Sequence, residues 1–164
     1  MGLETAHPVA LERLNKRMTV ADFTRAAGAL VARGVGVRAF VLIEPPFVPE
    51  ADQDEWLLRS INTALSSGAD VVSLVPTRGG NGAMEAMAAE GQFQAPRLET
   101  IERACDAAHG AGPTRGRIFV DLWDLKRFAD CAHCFDARRA RLHAMNLTQK
   151  IQPPVGCSYC GAAS

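Results

Sequence analysis

The stretch VRAFVLIEPPF (37–47) decides the fold of this 164-residue chain. Residues 37–44 are almost continuously apolar and rich in β-branched and aromatic side chains, which is typical of a strand covered on both faces. Pro45 and Pro46 end this strand, because proline cannot donate to a β-ladder. Two more stretches of the same kind predict further buried strands: DVVSLVP (70–76) and RIFVDLW (117–123).

Amphipathic helices are predicted between these strands. In residues 19–34, apolar side chains recur at helical spacing, Thr19 and Asp22 have the spacing of an N-terminal cap, and Gly34 ends the helix. The same reasoning predicts three more helices and an opening edge strand: helices near 52–67, 83–90 and 97–109, and the strand at 2–6. Strands that alternate with helices across short joints form right-handed βαβ units and a parallel sheet.

The predicted fold class is therefore α/β, with three or four parallel strands in a small open sheet or part of a barrel. The functional edge of such a sheet lies at the carboxyl ends of its strands. Four polar or proline-rich segments follow the predicted strands: 4–5, 44–46, 76–78 and 121–123. Two of their acidic residues also have simpler interpretations, because Glu44 suits a turn and Asp121 suits a helix cap.

Four of the five cysteines form two Cys-x2-Cys pairs within the last 34 residues: Cys131, Cys134, Cys157 and Cys160. This pattern predicts a tetrahedral metal site, with a short helix between the two pairs and zinc as the favoured occupant. An iron–sulfur cluster and two disulfides are the alternatives. The fifth cysteine, Cys105, lies on the apolar stripe of a predicted helix and is expected to be buried and structural. We therefore expect a domain at 1–125 and a cysteine-rich metal-binding tail at 126–164.

Charge is distributed unevenly, although the net charge is zero. The first 114 residues carry 10 Lys and Arg against 14 Asp and Glu, while the last 50 carry 8 against 4. Arg138, Arg139 and Arg141 lie near the cysteines, so the tail could attract a polyanion such as RNA. The alternative is a solvated helix face, since no aromatic stacking pattern accompanies the charge.

The chain opens with MGLETAHPVA, which is unlike a signal peptide, and contains no apolar run of roughly 20 residues. We therefore expect a cytoplasmic protein without a membrane partner. A reducing compartment favours metal binding by the cysteines over disulfides.

Three runs resemble the second half of the radical S-adenosylmethionine (SAM) core: GLETAHPVALERLNKRMTVADF, VRAFVLIEPPF and ADVVSLVPTRGGNGAMEAMAAEGQFQAPRL. They are most similar to the branch near the archaeosine-forming enzyme and the tRNA methylthiotransferases. In that family, a strand ending in Glu–Thr precedes a helix and an Asn–Lys pair, matched here by Glu4–Thr5 and Asn15–Lys16. The next strand ends in a proline turn, matched by Pro45–Pro46.

The resemblance implies part of a TIM-like (β/α) barrel that uses SAM and a [4Fe–4S] cluster. It implies that Glu4 or its neighbour faces the SAM ribose, and that Lys16 or Arg38 lies near the SAM carboxylate or the substrate. A tRNA base is the substrate that the resemblance suggests. The cysteine tail would then be a zinc site or an auxiliary iron–sulfur site.

The family's Cys-x3-Cys-x2-Cys cluster loop does not occur in these 164 residues. We therefore expect the C-terminal part of a radical SAM enzyme, inactive alone, whose partner is the missing N-terminal half of the barrel in the same or a separate chain. Whether the chain is an enzyme in its own right is left open. The alternative function is a non-catalytic α/β module with a zinc knuckle that binds RNA or a partner protein.

Overall fold

The computed structural model of the protein describes residues 1–80, 82–112 and 116–161. Its four strands are β1 (Gly2–Glu4), β2 (Arg38–Ile43), β3 (Val71–Pro76) and β4 (Arg117–Val120). Its α-helices are α1 (Pro8–Arg13), α2 (Val20–Val31), α3 (Gln53–Ser66), α4 (Ala83–Ala89), α5 (Leu98–Gly110) and α6 (Ala132–Thr148). Short 3₁₀ helices span Glu50–Asp52 and Leu125–Phe128.

The four strands form one parallel sheet in the order β1-β2-β3-β4. Ile43 at the end of β2 lies opposite Pro76 at the end of β3, so the carboxyl ends of these strands meet at one edge of the sheet. The predicted α/β class with parallel strands is confirmed. The strand at 117–123 is shorter than predicted, since β4 ends at Val120.

One sheet face is covered by helices and forms the core. In β2, Ala39, Val41 and Ile43 are buried on this face, where α3 packs across the strands. The opposite face is open among the described residues, where Arg38 is exposed and Phe40 is 39% exposed. The prediction that β2 is covered on both faces is therefore wrong for the part of the chain that the structure describes.

The termini of α2 follow from its sequence. The Thr19 hydroxyl accepts from the Asp22 main-chain N–H, and the Asp22 carboxylate accepts from the Thr19 main-chain N–H at 3.0 Å. Hydrogen bonds from the Thr19 main chain and hydroxyl, together with the nearby Arg25, lower the pKa of Asp22 to about 2. Gly34 has a φ of 73°, a conformation that glycine adopts without strain, and it ends the helix.

The helix between the two cysteine pairs is much longer than predicted. Instead of a short connection, α6 has 17 residues, and Leu142 and Met145 within it belong to the same buried cluster as the strands. The predicted domain boundary after residue 125 stays a prediction, but the helix of the tail packs into the core. No described helix is long and apolar enough to cross a membrane.

Helix α6 also covers the outer edge of β4. The Asn146 side-chain amide accepts from the Val120 N–H at 2.8 Å and donates to the Val120 carbonyl at 2.9 Å. The Gln149 amide makes the same two bonds with Ile118, both at 2.8 Å. The two amides thus pair with β4 as a neighbouring strand would, and they satisfy a sheet edge that could otherwise pair with another chain.

We expect Asn146→Leu to destabilise the fold by about 1–3 kcal/mol, because the Val120 N–H and carbonyl lose their partners in a partly buried place. Urea unfolding monitored by circular dichroism measures this loss. Arg139→Ala, on the exposed side of the same helix, is the matched control and should change stability little. An unchanged unfolding midpoint for Asn146→Leu would show that the amide pairing does not stabilise the edge.

Candidate metal centre and sheet-edge site

The four tail cysteines converge on one point. Their sulfurs all lie within 4.8 Å of one another, with Cys131 Sγ 4.0 Å from Cys157 Sγ and Cys134 Sγ 3.8 Å from Cys160 Sγ. A tetrahedral ion with Zn–S bonds of about 2.3 Å requires sulfurs roughly 3.8 Å apart. The donor set and its spacing therefore fit a single four-coordinate metal ion.

Local structure positions each cysteine pair. Cys131 is the extended residue that precedes α6, and Cys134 lies in the first turn of that helix. In the second pair, the Gly161 N–H donates to the Cys157 carbonyl at 2.9 Å in a tight turn. Gly161 has a φ of 72°, which explains the use of glycine there.

The environments of the thiols differ. Burial and hydrogen bonding with the other thiols raise the pKa of Cys134 to about 12. Hydrogen bonds from the main-chain N–H groups of Cys160 and Tyr159 lower the pKa of Cys157 to about 7. Main-chain amides directed at a sulfur stabilise its thiolate, which is the form that binds metal.

An aromatic stack joins the two pairs beside the sulfurs. The rings of His133 and Tyr159 lie parallel, with centroids 3.8 Å apart and an interplanar angle of 5°. His133 is thus engaged with the opposite cysteine pair through its ring. Cys105 is outside this cluster and buried, as expected, and burial raises the pKa of its thiol to about 12.

Two of the three arginines near the cysteines, Arg138 and Arg141, are buried, whereas Arg139 is exposed. Arg138 is 8% exposed and donates through Nε and Nη2 to Glu102 on α5. Arg141 is 6% exposed and donates to Asp106 at 2.7 Å and to the Gln152 carbonyl. Both sequence interpretations of these two arginines, a polyanion-attracting surface and a solvated helix face, are wrong, because the residues form buried ion pairs that join α6 to α5.

The carboxyl end of β1 carries two of the three predicted SAM-contacting residues. Lys16 Nζ lies 2.7 Å from Glu4 Oε1, and the Glu4 side chain is 17% exposed. Glu4 has a φ of 64°, in the left-handed region that few non-glycine residues adopt, and such strain is common at functional sites. Arg38 does not lie with them, because it begins β2 at the amino end of the sheet, roughly 10 Å from Glu4 along the strands.

Glu44 follows β2 at the same carboxyl edge and also has a left-handed backbone, with a φ of 52°. Burial raises the pKa of its half-buried carboxyl group. Glu44 lines a cavity of about 780 Å³ between the segment that follows β2 and the segment between α4 and α5. Its turn position is what the sequence suggested, but the adjoining cavity was not predicted.

The carboxyl ends of β3 and β4 are joined by an ion pair. Arg78 Nη1 donates to Asp121 Oδ2 at 2.9 Å, and Nη2 donates to the Trp123 carbonyl at 2.6 Å. Asp121 Oδ1 also accepts from the Trp123 N–H at 3.0 Å. The sequence placed Asp121 as a possible helix cap, but the 3₁₀ helix begins later, at Leu125. The pairing with Arg78 was not predicted, because the partners are 43 residues apart.

The open face of the sheet holds a second cavity, of about 450 Å³. Arg38 and Phe40 of β2, Ser73 of β3, and Phe119 and Asp121 at β4 contribute to its lining. It runs from Arg38 at the amino end of the sheet to Asp121 at the carboxyl edge. The face of a parallel sheet that lacks helices is the face that lines the interior when such a sheet closes into a barrel.

Comparisons with known proteins identify the relatives of this arrangement. No protein-family model matches the chain. The chain is 32% identical over 130 residues to archaeosine synthase subunit beta of Methanosarcina acetivorans, an alignment that covers 70% of the chain and 37% of that relative. The chain thus spans little more than a third of the length of this curated relative.

Solved structures share the fold. An N-terminally deleted Elp3 of Methanocaldococcus infernus matches with a TM-score of 0.67 and 15% identity, over 89% of this chain and 35% of that one. The similarity to archaeosine synthase subunit beta and the fold shared with Elp3 support the resemblance of the chain to a C-terminal portion of the radical SAM core. The HMG-CoA lyase of Brucella melitensis also matches, with a TM-score of 0.50 and 16% identity, over 92% of this chain and 48% of that one. At these identities the two structures support the fold alone.

The four parallel strands, the fold shared with Elp3 and the four-cysteine cluster near the C-terminus agree with the predicted fold class. Glu4, Lys16, Glu44, Arg78 and Asp121 lie at or next to the carboxyl edge of this parallel sheet. The contacts of Glu4, Lys16 and Arg38 with SAM stay predictions. The cysteine cluster could hold a metal, as its geometry indicates.

We expect Cys131→Ser to weaken metal binding by more than about 100-fold, because a directly bound ligand matters more than the outer-shell partners whose loss costs about 10–100-fold. Metal analysis of the purified chain and titration with a chelator measure this change. Cys105→Ala removes a cysteine outside the cluster and serves as the control. Equal metal content in all three proteins would exclude the four-cysteine site.

We expect Arg138→Ala to destabilise the fold by about 3–5 kcal/mol, because Glu102 is left charged and only 13% exposed without its main partner. Chemical unfolding of the metal-loaded chain measures the loss. Arg139→Ala is the control, since Arg139 is exposed on the same helix. If both substitutions had the same small effect, the buried ion pair would not contribute to folding.

Proposed function

We propose that this chain forms the part of a radical SAM enzyme that binds SAM and positions the substrate, and that the cluster-bearing part of the barrel completes it. The observation that carries the proposal is the Glu4–Lys16 pair at the carboxyl edge of the parallel sheet, beside an open face. The relationship to archaeosine synthase subunit beta and the fold shared with Elp3 support it.

In the complete enzyme, a [4Fe–4S] cluster held by the missing part of the barrel would supply the electron for reductive cleavage of SAM. This chain contributes binding and orientation. The Glu4 carboxylate would accept hydrogen bonds from the ribose hydroxyls of SAM, and the Lys16 ammonium would pair with the SAM carboxylate. When no ligand is bound, the two side chains neutralise each other at 2.7 Å, so ligand binding exchanges one ion pair for two sets of contacts.

Arg38 acts elsewhere in this proposal. It lies at the far end of the cavity on the open face, and its guanidinium carbon is 5.6 Å from the centroid of the Phe119 ring. A ligand that extends along the open face reaches Arg38, whereas a group held by Glu4 alone does not. We therefore assign Arg38 to the inner wall of the completed barrel and restrict the SAM contacts to Glu4 and Lys16.

The cluster must come from outside these 164 residues, which lack the Cys-x3-Cys-x2-Cys loop. We propose that a segment carrying that loop, in the same or a separate polypeptide, docks against β1 and the open face of the sheet. The other edge of the sheet is already covered, because Asn146 and Gln149 pair with β4. Completion of the barrel therefore proceeds from the β1 side, and the chain alone is inactive.

The tail is assigned a structural zinc ion. Four thiolates within 4.8 Å suit one ion, whereas a [4Fe–4S] cluster spreads its thiolates over four irons at separate corners of a cube. The zinc ion fixes the returning C-terminal segment against the start of α6. An RNA base is the proposed substrate, supported by the name of the archaeosine synthase relative.

We expect Lys16→Ala to weaken SAM binding by about 10–100-fold, because a hydrogen bond between charged groups contributes about 1.5–3 kcal/mol. Isothermal titration calorimetry with SAM, on the chain assembled with its cluster-bearing partner segment, measures the dissociation constant. Arg33→Ala, at an exposed position just after α2, is the charge-matched control.

The same assembly should form 5′-deoxyadenosine from SAM under reducing anaerobic conditions, while the isolated chain should form none. Formation of 5′-deoxyadenosine by the isolated chain would contradict the need for a cluster-bearing partner. Equal SAM affinity in the Lys16→Ala and Arg33→Ala assemblies would remove Lys16 from the SAM site.

A further inference from the structure

Trp123 is the more exposed of the two tryptophans of the chain. It lies at the carboxyl edge of the sheet, where the neighbouring polar groups form hydrogen bonds with one another. It is 70% exposed and follows β4 by three residues. Exposed tryptophan is uncommon on protein surfaces that have no partner, because its large ring is stabilised by burial. The position of Trp123 at the carboxyl edge of a parallel sheet is the position of ligand sites in such folds.

The main chain of Trp123 is held on both sides. Its N–H donates to Asp121 Oδ1 at 3.0 Å, and its carbonyl accepts from Arg78 Nη2 at 2.6 Å. Arg78 and Asp121 are themselves paired at 2.9 Å, and the Arg78 side chain is only 14% exposed. A partly buried ion pair thus fixes the backbone from which the exposed indole projects, and this lowers the entropy that a ligand must remove on binding.

The Arg78 guanidinium also lies against the ring of Trp123. Its central carbon is 5.1 Å from the indole centroid and 5.7 Å from the centroid of Phe128, within the range of cation–π contacts. Its Nε is buried without a hydrogen-bond partner among the described residues, so the aromatic rings provide much of its remaining environment. The Arg78 guanidinium therefore contacts the indole ring of Trp123, and much of the surface of that ring stays exposed.

The segment that follows Trp123 carries exposed positive charge. Lys126 and Arg127 lie in the 3₁₀ helix three and four residues further on, and both are exposed. Two acidic groups nearby are engaged within the site, since Asp121 pairs with Arg78 and Asp124 lies 3.6 Å from Arg127. An aromatic platform next to cationic side chains is the combination that binds single-stranded nucleic acid, by stacking bases and by contacting phosphates.

We propose that Trp123 is a stacking platform for an unpaired RNA base, that Lys126 and Arg127 contact the adjoining phosphates, and that Arg78 is the positioning residue that orients the indole. This inference rests on the proposed function and specifies where its RNA substrate is held. The site differs from the arginine-rich region of α6, in which Arg138 and Arg141 are already paired with acidic residues.

Tryptophan fluorescence tests the proposal directly, because the chain has two tryptophans. Trp56 packs edge-on against His7 with centroids 4.6 Å apart, so Trp56→Phe preserves an aromatic ring there and leaves Trp123 as the reporter. Single-stranded RNA oligonucleotide titrated into the full-length, zinc-loaded Trp56→Phe chain should quench this fluorescence. An abasic oligonucleotide of the same length and charge should bind more weakly and quench little.

Trp123→Ala should weaken binding of the single-stranded RNA by about 5- to 150-fold, the range of base–aromatic stacking, and leave binding of the abasic oligonucleotide unchanged. Trp123→Phe should give an intermediate affinity. Binding of both oligonucleotides with equal affinity by wild type and Trp123→Ala would overturn the stacking site and leave a purely electrostatic contact. Absence of any RNA binding would overturn the whole proposal.

The remaining outcomes are measured on the chain assembled with the cluster-bearing segment. If that segment covers Trp123, acrylamide will no longer quench its fluorescence in the assembly and RNA will have no effect, which overturns the proposal in favour of a protein contact. Formation of 5′-deoxyadenosine in the Trp123→Ala assembly distinguishes the two proposals, since SAM cleavage should persist when only the RNA platform is lost. A failure of SAM cleavage in the unsubstituted assembly would count against the proposed function alone.

Discussion

The pairing of two side-chain amides with β4 fixes most of the second half of the structure. Asn146 and Gln149 hold α6 along the sheet by four hydrogen bonds to the backbone of Ile118 and Val120. Once α6 is held there, its first turn determines where Cys131 and Cys134 lie. The pairing also ends the sheet on that side, because the polar groups of the outer edge of β4 are occupied. The sheet can therefore grow only from β1, and this directs where any further strands can add.

The two faces of the sheet differ in composition and in what covers them. The covered face is built from small and branched apolar residues such as Ala39 and Val41, and it supplies the core. The open face alternates charge with aromatic rings, and Arg38 and Arg117 both lie within 6 Å of the Phe119 ring centroid. Cation–π contacts keep these side chains extended over the face without helices to cover them. Charged and aromatic side chains together can face water, and they can also line a cavity once this face of the sheet is enclosed.

The order of helices and strands was predictable from short sequence patterns, because the interactions that start and end each element lie within a few residues of it. The cap formed by Thr19 and Asp22 lies within one helical turn, and the spacing within each cysteine pair is set by a single turn of chain. The sequence predicted that both faces of β2 are covered. This prediction was wrong because apolar residues such as Phe40 and Leu42 are typical of buried positions. The burial and ion pairing of Arg138 were not predictable either, since its partner Glu102 is 36 residues earlier and on another helix. The same limit applies to Arg78 and Asp121, and to the amides that cover β4.

The buried arginines of α6 link the metal centre to the rest of the chain. Arg138 follows Cys134 by one helical turn and binds Glu102 on α5, so the helix end that carries two of the four clustered cysteines is anchored to the core. Arg141, one turn further, donates to the carbonyls of Gln152 and Pro153 in the segment that returns towards Cys157. Each arginine thus fixes one side of the four-cysteine cluster. Because these contacts hold both sides of the cluster, they reduce the ordering of the chain that a metal ion would have to supply on binding.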